Sequence, residues 1–327
     1  MSTSETSTSD SKPTATRVSV VVPSYNHARY VAMTLRSIRK QTLPPAELIV
    51  IDDGSADGSP QVIEEALKEC AFPSELVVRS NHGLCATLNE GLRRTKGDYF
   101  AYLDSDDLWL PNFLKERVEL LQSRGDAVLA YGHAYLIDEQ NRIIDSTAEW
   151  ADYSDGQVRE MLLRTIAPMS PTVVYRRTAL EKESWNERAK LEDYDLYLRL
   201  SAIGEFAFQP RVLSAWRLHA RNTSRDQMFM LEEQLAAQRA VALKLGLKDG
   251  ELEKLQTITR FSRAEDFLRL GDKRTAILLM SSNFTGLRSL RTLGRMLMRL
   301  AVPVSVINKR NVAKRQRVNE KFGAIEL

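Results

Sequence analysis

The side chains best suited to chemistry in this sequence are carboxylates that directly follow short hydrophobic runs. Asp52 and Asp53 follow one such run, and Asp104, Asp106 and Asp107 follow another. Carboxylates this close together repel one another unless a cation or hydrogen bonds compensate them. Mg²⁺ and Mn²⁺ prefer oxygen ligands, and Mg²⁺ commonly binds one or two carboxylates together with the phosphates of a substrate. The second group therefore predicts a divalent-metal site that serves a diphosphate, with an acidic turn that caps a helix as the alternative.

Other polar residues also stand at the ends of predicted elements. Pro23 ends the first strand, and Tyr25 and Asn26 follow it with a flat ring and an amide. The remaining groups are an acidic pair that opens a helix and a basic pair that ends a strand: Glu192 and Asp193, then Arg217 and His219. Each group alone has an ordinary structural explanation, because turns, helix caps and hydrogen-bond networks use the same residue types.

The elements that must position these residues alternate between strand and helix. Buried strands are predicted at residues 18–22, 48–51, 75–79 and 99–103, and helices at 30–41, 60–70 and 84–94. A further helix follows Pro111. This rhythm predicts a mostly parallel sheet with helices on both faces. Ligands of such sheets bind beyond the carboxyl ends of the strands, where the carboxylates above are expected.

The rhythm becomes less regular after about residue 127 and wholly helical from about Asp226. We therefore expect a disordered tail at residues 1–16, a catalytic domain at 17–225 and a helical region at 226–327. The segment 286–317 holds nine Lys or Arg and no Asp or Glu, so removing it from the total of +3 leaves −6 for the rest of the chain. Its arginines and leucines fall on opposite sides of a predicted helix, which indicates either a solvated packing helix or a membrane-surface helix.

Composition places the chain in the ordinary globular class. Its 327 residues are 43% hydrophobic and 27% charged, which excludes collagenous, mucin-like and wholly disordered proteins. Two cysteines, Cys70 and Cys85, cannot form a disulfide framework and are expected to be buried free thiols. We find no signal peptide and no run of about 20 apolar residues, so we expect a cytoplasmic protein.

Taken in order, these motifs resemble the family 2 glycosyltransferases, which are inverting enzymes of the GT-A fold. The resemblance covers roughly residues 18–224. It rests on Pro23-Ser24-Tyr25-Asn26, Asp52-Asp53-Gly54-Ser55, Asn81-x-Gly83 with Asn89, Gly97-Asp98-Tyr99 with Leu103-Asp104-Ser105-Asp106-Asp107, Glu192-Asp193-Tyr194-Asp195-Leu196, and Arg217-x-His219 with Asn222 and Ser224. It implies a GT-A type, Rossmann-like, mostly parallel sheet with helices on both faces, followed by a C-terminal helical appendage.

The resemblance also implies a role for each site residue. Asp193 is the expected catalytic base, and Glu192 is the second candidate. Asp104, Asp106 and His219 are the expected ligands of Mg²⁺ or Mn²⁺. The expected contacts to a nucleotide-sugar are Pro23, Tyr25, Asn26, Asp53, Asn81, Gly83, Asn89, Asp104 and Arg217. The segment Thr87-Leu88-Asn89 departs from the Ala-Arg-Asn ending that is commoner in the family, which puts the diphosphate contacts of that helix in doubt.

The expected function is metal-assisted transfer of a sugar from a nucleotide-diphosphate donor to a hydroxyl of a glycan or lipid-linked acceptor, in cell-surface polysaccharide synthesis. The partners are the donor, the acceptor and, through residues 286–317, an anionic membrane surface on the cytoplasmic face; no nucleic acid is expected. A nucleotidyltransferase that makes nucleotide sugars is one alternative, but its usual Gly-rich basic loop is absent after the first strand. A catalytically inactive sugar-binding or scaffold domain is the other, and the presence of Asp106 and Asp193 argues against it.

Overall fold

The structure is a computed structural model that describes residues 16–220 and 222–327. The predicted disordered tail therefore lies outside the described residues, apart from its last residue. Among the described residues, no helix has both the length and the apolar character needed to cross a bilayer. Cys85 is buried as expected, whereas Cys70 is only half-buried.

One mixed sheet forms the centre of the molecule. Its strands in the described residues are β1 (Val18–Ser24), β2 (Glu47–Asp52), β3 (Ser74–Val78), β4 (Tyr99–Tyr102), β5 (Leu108–Trp109), β6 (Ala127–Ile137), β7 (Ile143–Ser146), β8 (Val174–Arg176) and β9 (Glu205–Arg217). The order across the sheet is β3-β2-β1-β4-β8-β6-β9-β5, with β7 paired to β6. Strands β1 to β4 pair in parallel, and so do β6 and β9, while β8 runs antiparallel to both of its neighbours. The prediction of a mostly parallel sheet is confirmed.

Helices cover both faces of this sheet. They are α1 (Val31–Arg39), α2 (Ser59–Leu67), α3 (Leu84–Arg94), α4 (Phe113–Ser123), α5 (Arg159–Leu163), α6 (Arg177–Leu180), α7 (Glu192–Leu200), α8 (Gln227–Val241), α9 (Asp249–Leu270), α10 (Lys273–Ser282), α11 (Leu290–Ala301) and α12 (Val304–Phe322). The valines of β1 divide between the two faces. Val20 and Val22 pack in the core with α1, α2 and α4, whereas Val21 packs in the core with α3, α5 and α7. This alternation follows from the strand's two-residue period, and it explains why an unbroken valine run is buried.

The first and the last of the helices after β9 pack against the rest of the molecule. Helix α8 contributes Ala237 and Val241 to the main core, whereas α9, α10 and α11 share a core of their own. Helix α12 then returns to the sheet, where Phe322 packs near β7 and Ile325 N–H donates to the carbonyl of Asn141 at 3.0 Å. Lys314 forms an ion pair with Asp145 at 2.6 Å. The basic segment is thus two helices, and the second is docked on the sheet.

Candidate active site

The carboxyl ends of β1, β2 and β4 lie side by side, and this is the edge at which the candidate residues meet. Asp52, the last residue of β2, is paired in register with Ser24 of β1. Its buried carboxylate accepts hydrogen bonds from Ser24 Oγ at 3.2 Å and from Ser55 Oγ at 2.7 Å. Asp52 therefore fixes the turn after β2, which leaves Asp53 to face outward from the strand end.

A cavity of about 790 Å³, the strand-end cavity, opens at this edge. Nine of the nucleotide-sugar and metal residues expected from the sequence line it: Pro23, Tyr25, Asn26, Asp53, Asn81, Gly83, Asp104, Asp106 and His219. Tyr25 is 51% exposed, so its ring lines the cavity and is accessible to a ligand. Asn26 adopts a φ of 56° and its Oδ1 accepts from Ala56 N–H at 2.8 Å, which ties the β1 loop to the β2 loop.

Asp53 is buried in this wall and its oxygens already have partners. They accept from His82 N–H at 2.9 Å and Gly83 N–H at 2.8 Å, and Arg79 lies 3.0 Å away. The φ of +87° at Gly83 is a conformation that favours glycine and that brings its N–H to the carboxylate. Asp53 therefore positions the loop that carries Asn81 as well as lining the cavity.

Three side chains at the base of the strand-end cavity could hold a metal ion together. One donor atom each of His27, Asp106 and His219 lies within 4.8 Å of the others. Asp106 Oδ2 is 2.8 Å from His219 Nε2, and Asp106 Oδ1 is 3.7 Å from His27 Nδ1. Two imidazoles and a carboxylate form a donor set that suits a first-row divalent ion such as Mn²⁺, so the residues fit the expected metal.

This cluster agrees with the expected ligands at Asp106 and His219, but it includes His27 and does not include Asp104. The Asp104 carboxylate instead accepts from Ser170 Oγ at 3.3 Å, on the other side of the strand end. The sequence analysis missed His27, although it directly follows the quoted Pro-Ser-Tyr-Asn motif. Its ring is placed by contacts across the fold: Nδ1 lies 2.8 Å from Ser105 Oγ, and its ring centroid is 5.7 Å from that of His219.

Arg217 was expected to contact the donor, but the structure buries it beneath the metal cluster. Only 1% of its surface is exposed, and it is not among the residues that line the cavity. Its Nε donates to the carbonyl of Asp106 at 2.7 Å, Nη1 donates to the carbonyl of Asp138 at 2.8 Å, and its backbone N–H donates to Asp107 Oδ1 at 2.8 Å. Arg217 therefore supports the loop that carries the ligand Asp106. Burial raises the pKa of the enclosed Asp107 well above its usual range.

Asn89 is also not brought to the site. Its side chain is buried and both ends of its amide are used: Nδ2 donates to the carbonyl of Trp185 at 2.9 Å, and Oδ1 accepts from Trp185 N–H at 3.1 Å. It does not line the strand-end cavity. Its role in this structure is to fasten α3 to the segment that precedes α7.

Both candidate bases line a second cavity of about 670 Å³, which we call the Trp150 cavity. Asp104 borders both cavities, and in this one it stands near Glu192 and Asp193 at the start of α7. Burial raises the pKa of Asp193 to about 6 and that of Glu192 well above its usual range. Burial and the nearby Asp106 and Asp193 raise the pKa of Asp104 to about 7. Three carboxyl groups therefore converge where the two cavities meet.

Comparison with known proteins shows the family to which this chain belongs. The family model described as "Glycosyl transferase family 2" matches residues 19–183, so the chain belongs to that family and is a glycosyltransferase. An uncharacterized glycosyltransferase of Nostoc sp. is 27% identical over 231 residues, which cover 68% of this chain and 71% of that protein. A chondroitin synthase of Escherichia coli is 26% identical over 218 residues, covering 66% of this chain and 31% of the synthase.

Solved structures show the same fold. Residues 1–349 of S. aureus TarS, in complex with UDP-GlcNAc, superpose with a TM-score of 0.58 at 16% identity, over 94% of this chain and 91% of that one. The mannosyltransferase PcManGT of Pyrobaculum calidifontis, in complex with GDP-Man and Mn²⁺, gives a TM-score of 0.60 at 17% identity, over 93% of this chain and 86% of that one. The GT-A fold expected from the sequence is confirmed, together with its C-terminal helices.

Proposed function

We propose that this glycosyltransferase moves a sugar from a nucleotide-diphosphate donor to a hydroxyl of a glycan or lipid-linked acceptor, with inversion at the anomeric carbon, in cell-surface polysaccharide synthesis. The observation that carries the proposal is the pair of adjoining cavities that share Asp104. One holds the His27, Asp106 and His219 cluster, and the other holds the candidate base Asp193. The complexes of TarS with UDP-GlcNAc and of PcManGT with GDP-Man support a nucleotide-sugar donor.

Charge in the strand-end cavity supports a metal requirement. Asp53, Asp104 and Asp106 line it, whereas no Lys or Arg is among its described lining residues. A diphosphate brought next to these carboxylates needs a cation. Mg²⁺ or Mn²⁺ held by Asp106, His219 and His27 would neutralise the charge that develops on the leaving diphosphate.

Burial raises the pKa of both acids at the start of α7. The pKa of Glu192 is raised well above its usual range, whereas that of Asp193 is raised to about 6, so Asp193 is ionised near neutral pH. A general base works best when its pKa lies close to the working pH. We therefore assign Asp193 to remove the proton of the acceptor hydroxyl, and direct attack by that hydroxyl on the anomeric carbon inverts its configuration.

Calorimetry with UDP, GDP and dTDP, with and without Mg²⁺ or Mn²⁺, tests the donor site. We expect one nucleotide to bind only when metal is present, and Asp106→Asn to abolish that binding. Ser123→Ala is a matched control, because Ser123 ends α4 away from both cavities. Nucleotide binding that is equally tight in EDTA, or undiminished in Asp106→Asn, would reject the metal role.

We also propose that residues 17–225 and 226–327 are two functional parts, and that the second attaches the enzyme to an anionic membrane surface. On α11, Leu290 is 80% exposed and Met298 67% exposed, and Leu297 is also exposed. Arg288 and Arg291 flank Leu290 in the sequence and make no ion pair within the described residues. Basic residues near an anionic membrane are worth about 1 kcal/mol each, and exposed leucines add apolar burial.

Not every basic residue of segment 286–317 is free for this purpose. Arg295 and Arg299 contact Glu265 of α9 at 2.9 and 2.8 Å, and Lys314 is paired with Asp145. A truncation of the segment would also remove the docked helix α12, so point variants are the better test.

Sedimentation with liposomes of increasing anionic lipid content provides that test. We expect wild type to sediment at low salt, and the double variant Leu290→Ser with Leu297→Ser to remain in the supernatant. Leu243→Ser is the control, because Leu243 is also highly exposed but lies outside α11. If wild type and the double variant sediment alike, or neither sediments, the exposed face of α11 does not bind membrane.

A further inference from the structure

The Trp150 cavity adjoins the strand-end cavity, and Asp104 borders both. Asp104, Glu192 and Asp193 form its catalytic wall, and Asp152 and Glu187 also line it. Under the proposed function, a donor in the strand-end cavity would present its sugar toward this wall, so the attacking hydroxyl must arrive from the Trp150 cavity. The remaining walls of the cavity therefore determine which acceptor fits.

Trp150 is unlike the other tryptophans of the described chain. It is 52% exposed, whereas Trp109 and Trp185 are buried and Trp216 is half-buried. The indole of Trp150 has no aromatic neighbour and no side-chain hydrogen bond within the described residues.

The backbone below Trp150 is firmly held. Its N–H donates to the carbonyl of Thr147 at 3.2 Å, and Thr147 is itself buried, with Oγ1 accepting from Ala134 N–H at 2.9 Å. A large flat ring that is fixed at its base and open at its face is an efficient contact surface, because little conformational entropy is lost when a ligand covers it.

The wall formed by the C-terminal helices comes from a part of the chain that the family match does not reach. Phe229, Met230 and Gln234 of α8 line the cavity together with Arg263 of α9, whereas the family model ends at residue 183. Arg263 is already bound, since its Nη1 donates to Asp266 at 2.8 Å and its Nε to Gln234 Oε1 at 2.8 Å. This wall from α8 and α9 thus combines apolar side chains with the Gln234 amide and a neutralised cation.

We propose that the Trp150 cavity is an acceptor subsite for an uncharged pyranose, with one face of the sugar ring stacked on the Trp150 indole. The inference rests on the proposed function. The C–H face of a pyranose matches an exposed aromatic ring and the apolar side chains of Phe229 and Met230, and its hydroxyls match Gln234 and the carboxylates. An anionic sugar is disfavoured because the acidic lining residues outnumber the basic ones: Asp104, Asp152, Glu187, Glu192 and Asp193 against Lys190 and the paired Arg263. Lys190, which also lines the cavity, is exposed at its rim.

Acrylamide quenching of tryptophan fluorescence tests this subsite without requiring turnover. Trp109 and Trp185 are buried, so the accessible signal comes from Trp150 and Trp216. The probes are maltose, lactose and chitobiose as neutral sugars and glucuronic acid as the anionic one. Trp216 also lines the Trp150 cavity, so Trp216→Phe is used to leave Trp150 as the accessible tryptophan. We expect at least one neutral sugar to reduce quenching of Trp216→Phe.

Phe229→Ala should raise the sugar concentration needed for half-maximal shielding by about ten-fold, because an aromatic contact is lost. Met228→Ala is the matched control: Met228 is an exposed neighbour on α8 that does not line the cavity. Shielding by no neutral sugar, stronger shielding by glucuronic acid, or shielding of wild type that is absent from Trp216→Phe would each overturn the inference.

The nucleotide calorimetry separates this inference from the proposed function. If the protein binds nucleotide in a metal-dependent way but no sugar shields Trp150, the acceptor subsite is rejected and the proposed function stands. Shielding of Trp150 in a protein that binds no nucleotide would retain the sugar site and reject the donor assignment.

Discussion

Replacing Arg217 distinguishes a buried support from a ligand-binding side chain. In Arg217→Met, the carbonyls of Asp106 and Asp138 lose charged donors that lie at 2.7 and 2.8 Å, and the stacking of the guanidinium over the Tyr30 ring at 4.9 Å is lost too. Hydrogen bonds to a charged group contribute about 1.5–3 kcal/mol each, and removing one partner of a buried charged contact costs about 3–5 kcal/mol. We therefore expect a loss of about 3–5 kcal/mol of stability.

That loss converts into a measurable change in melting temperature. With an unfolding entropy of about 2.1 cal/mol/K per residue, cooperative unfolding of the 327 residues predicts a decrease in Tm of about 4–7 °C. Arg217→Lys, which keeps the charge and can remake one bond, should lose less. Arg211→Met is the control on the same strand, since Arg211 is exposed and surface ion pairs contribute about 0–1 kcal/mol.

Scanning fluorimetry and nucleotide calorimetry on the same samples decide between the two roles. If Arg217→Met melts within about 1 °C of wild type and yet loses nucleotide binding, the guanidinium contacts the donor, and its assignment as a buried support is wrong.

The remaining predictions concern the base and the C-terminal helices. Asp193→Asn should lower the rate of transfer by about 10²–10⁴-fold, while calorimetry shows nucleotide binding intact. If Asp193→Asn keeps near wild-type turnover and Glu192→Gln is inactive, the base is Glu192. Because a base must be deprotonated and burial raises the pKa of Asp193 to about 6, the rate should fall roughly ten-fold between pH 7 and pH 5, whereas a flat profile would contradict the assignment. Glu265→Gln should loosen α11, because the ion pairs of residue 265 with Arg295 and Arg299 are weakened. Tryptic cleavage within α11 should then be several-fold faster than in wild type, and unchanged cleavage would refute this prediction.

The regular half of the fold could be predicted because its signals are local. The valines of β1 and the helical spacing of apolar residues in α3 lie within single elements, and the strand-helix alternation then implies a parallel sheet. The meeting of Asp53, Asp104 and Asp106 at one edge follows from that topology alone, since parallel strands end on the same side. Strands β5 and β8, with two and three residues, were not predicted because they are too short to show a period.

Site residues whose roles depend on contacts across the fold could not be assigned in the same way. A sequence shows that Arg217 follows a strand, but not that the carbonyls of Asp106 and Asp138 close around its guanidinium. Asn89 lies at the correct spacing for a donor contact, yet a segment 96 residues away binds both ends of its amide. His27 joins the metal cluster only because the turn after β1 brings it opposite His219.

The two cavities differ in how far the regular sheet determines their walls, and this difference bears on specificity. The strand-end cavity is built by the turns after β1, β2 and β4, whose geometry the parallel sheet dictates. Trp150, in contrast, stands in an irregular segment between β7 and α5, and Phe229 stands on a helix beyond the stretch that the family model matches. Substitutions there can change the shape of the acceptor site without disturbing a strand of the sheet. We therefore expect exchange of Trp150 or Phe229 to alter which sugar binds while metal-dependent nucleotide binding remains, because the two sites are supported by different parts of the fold.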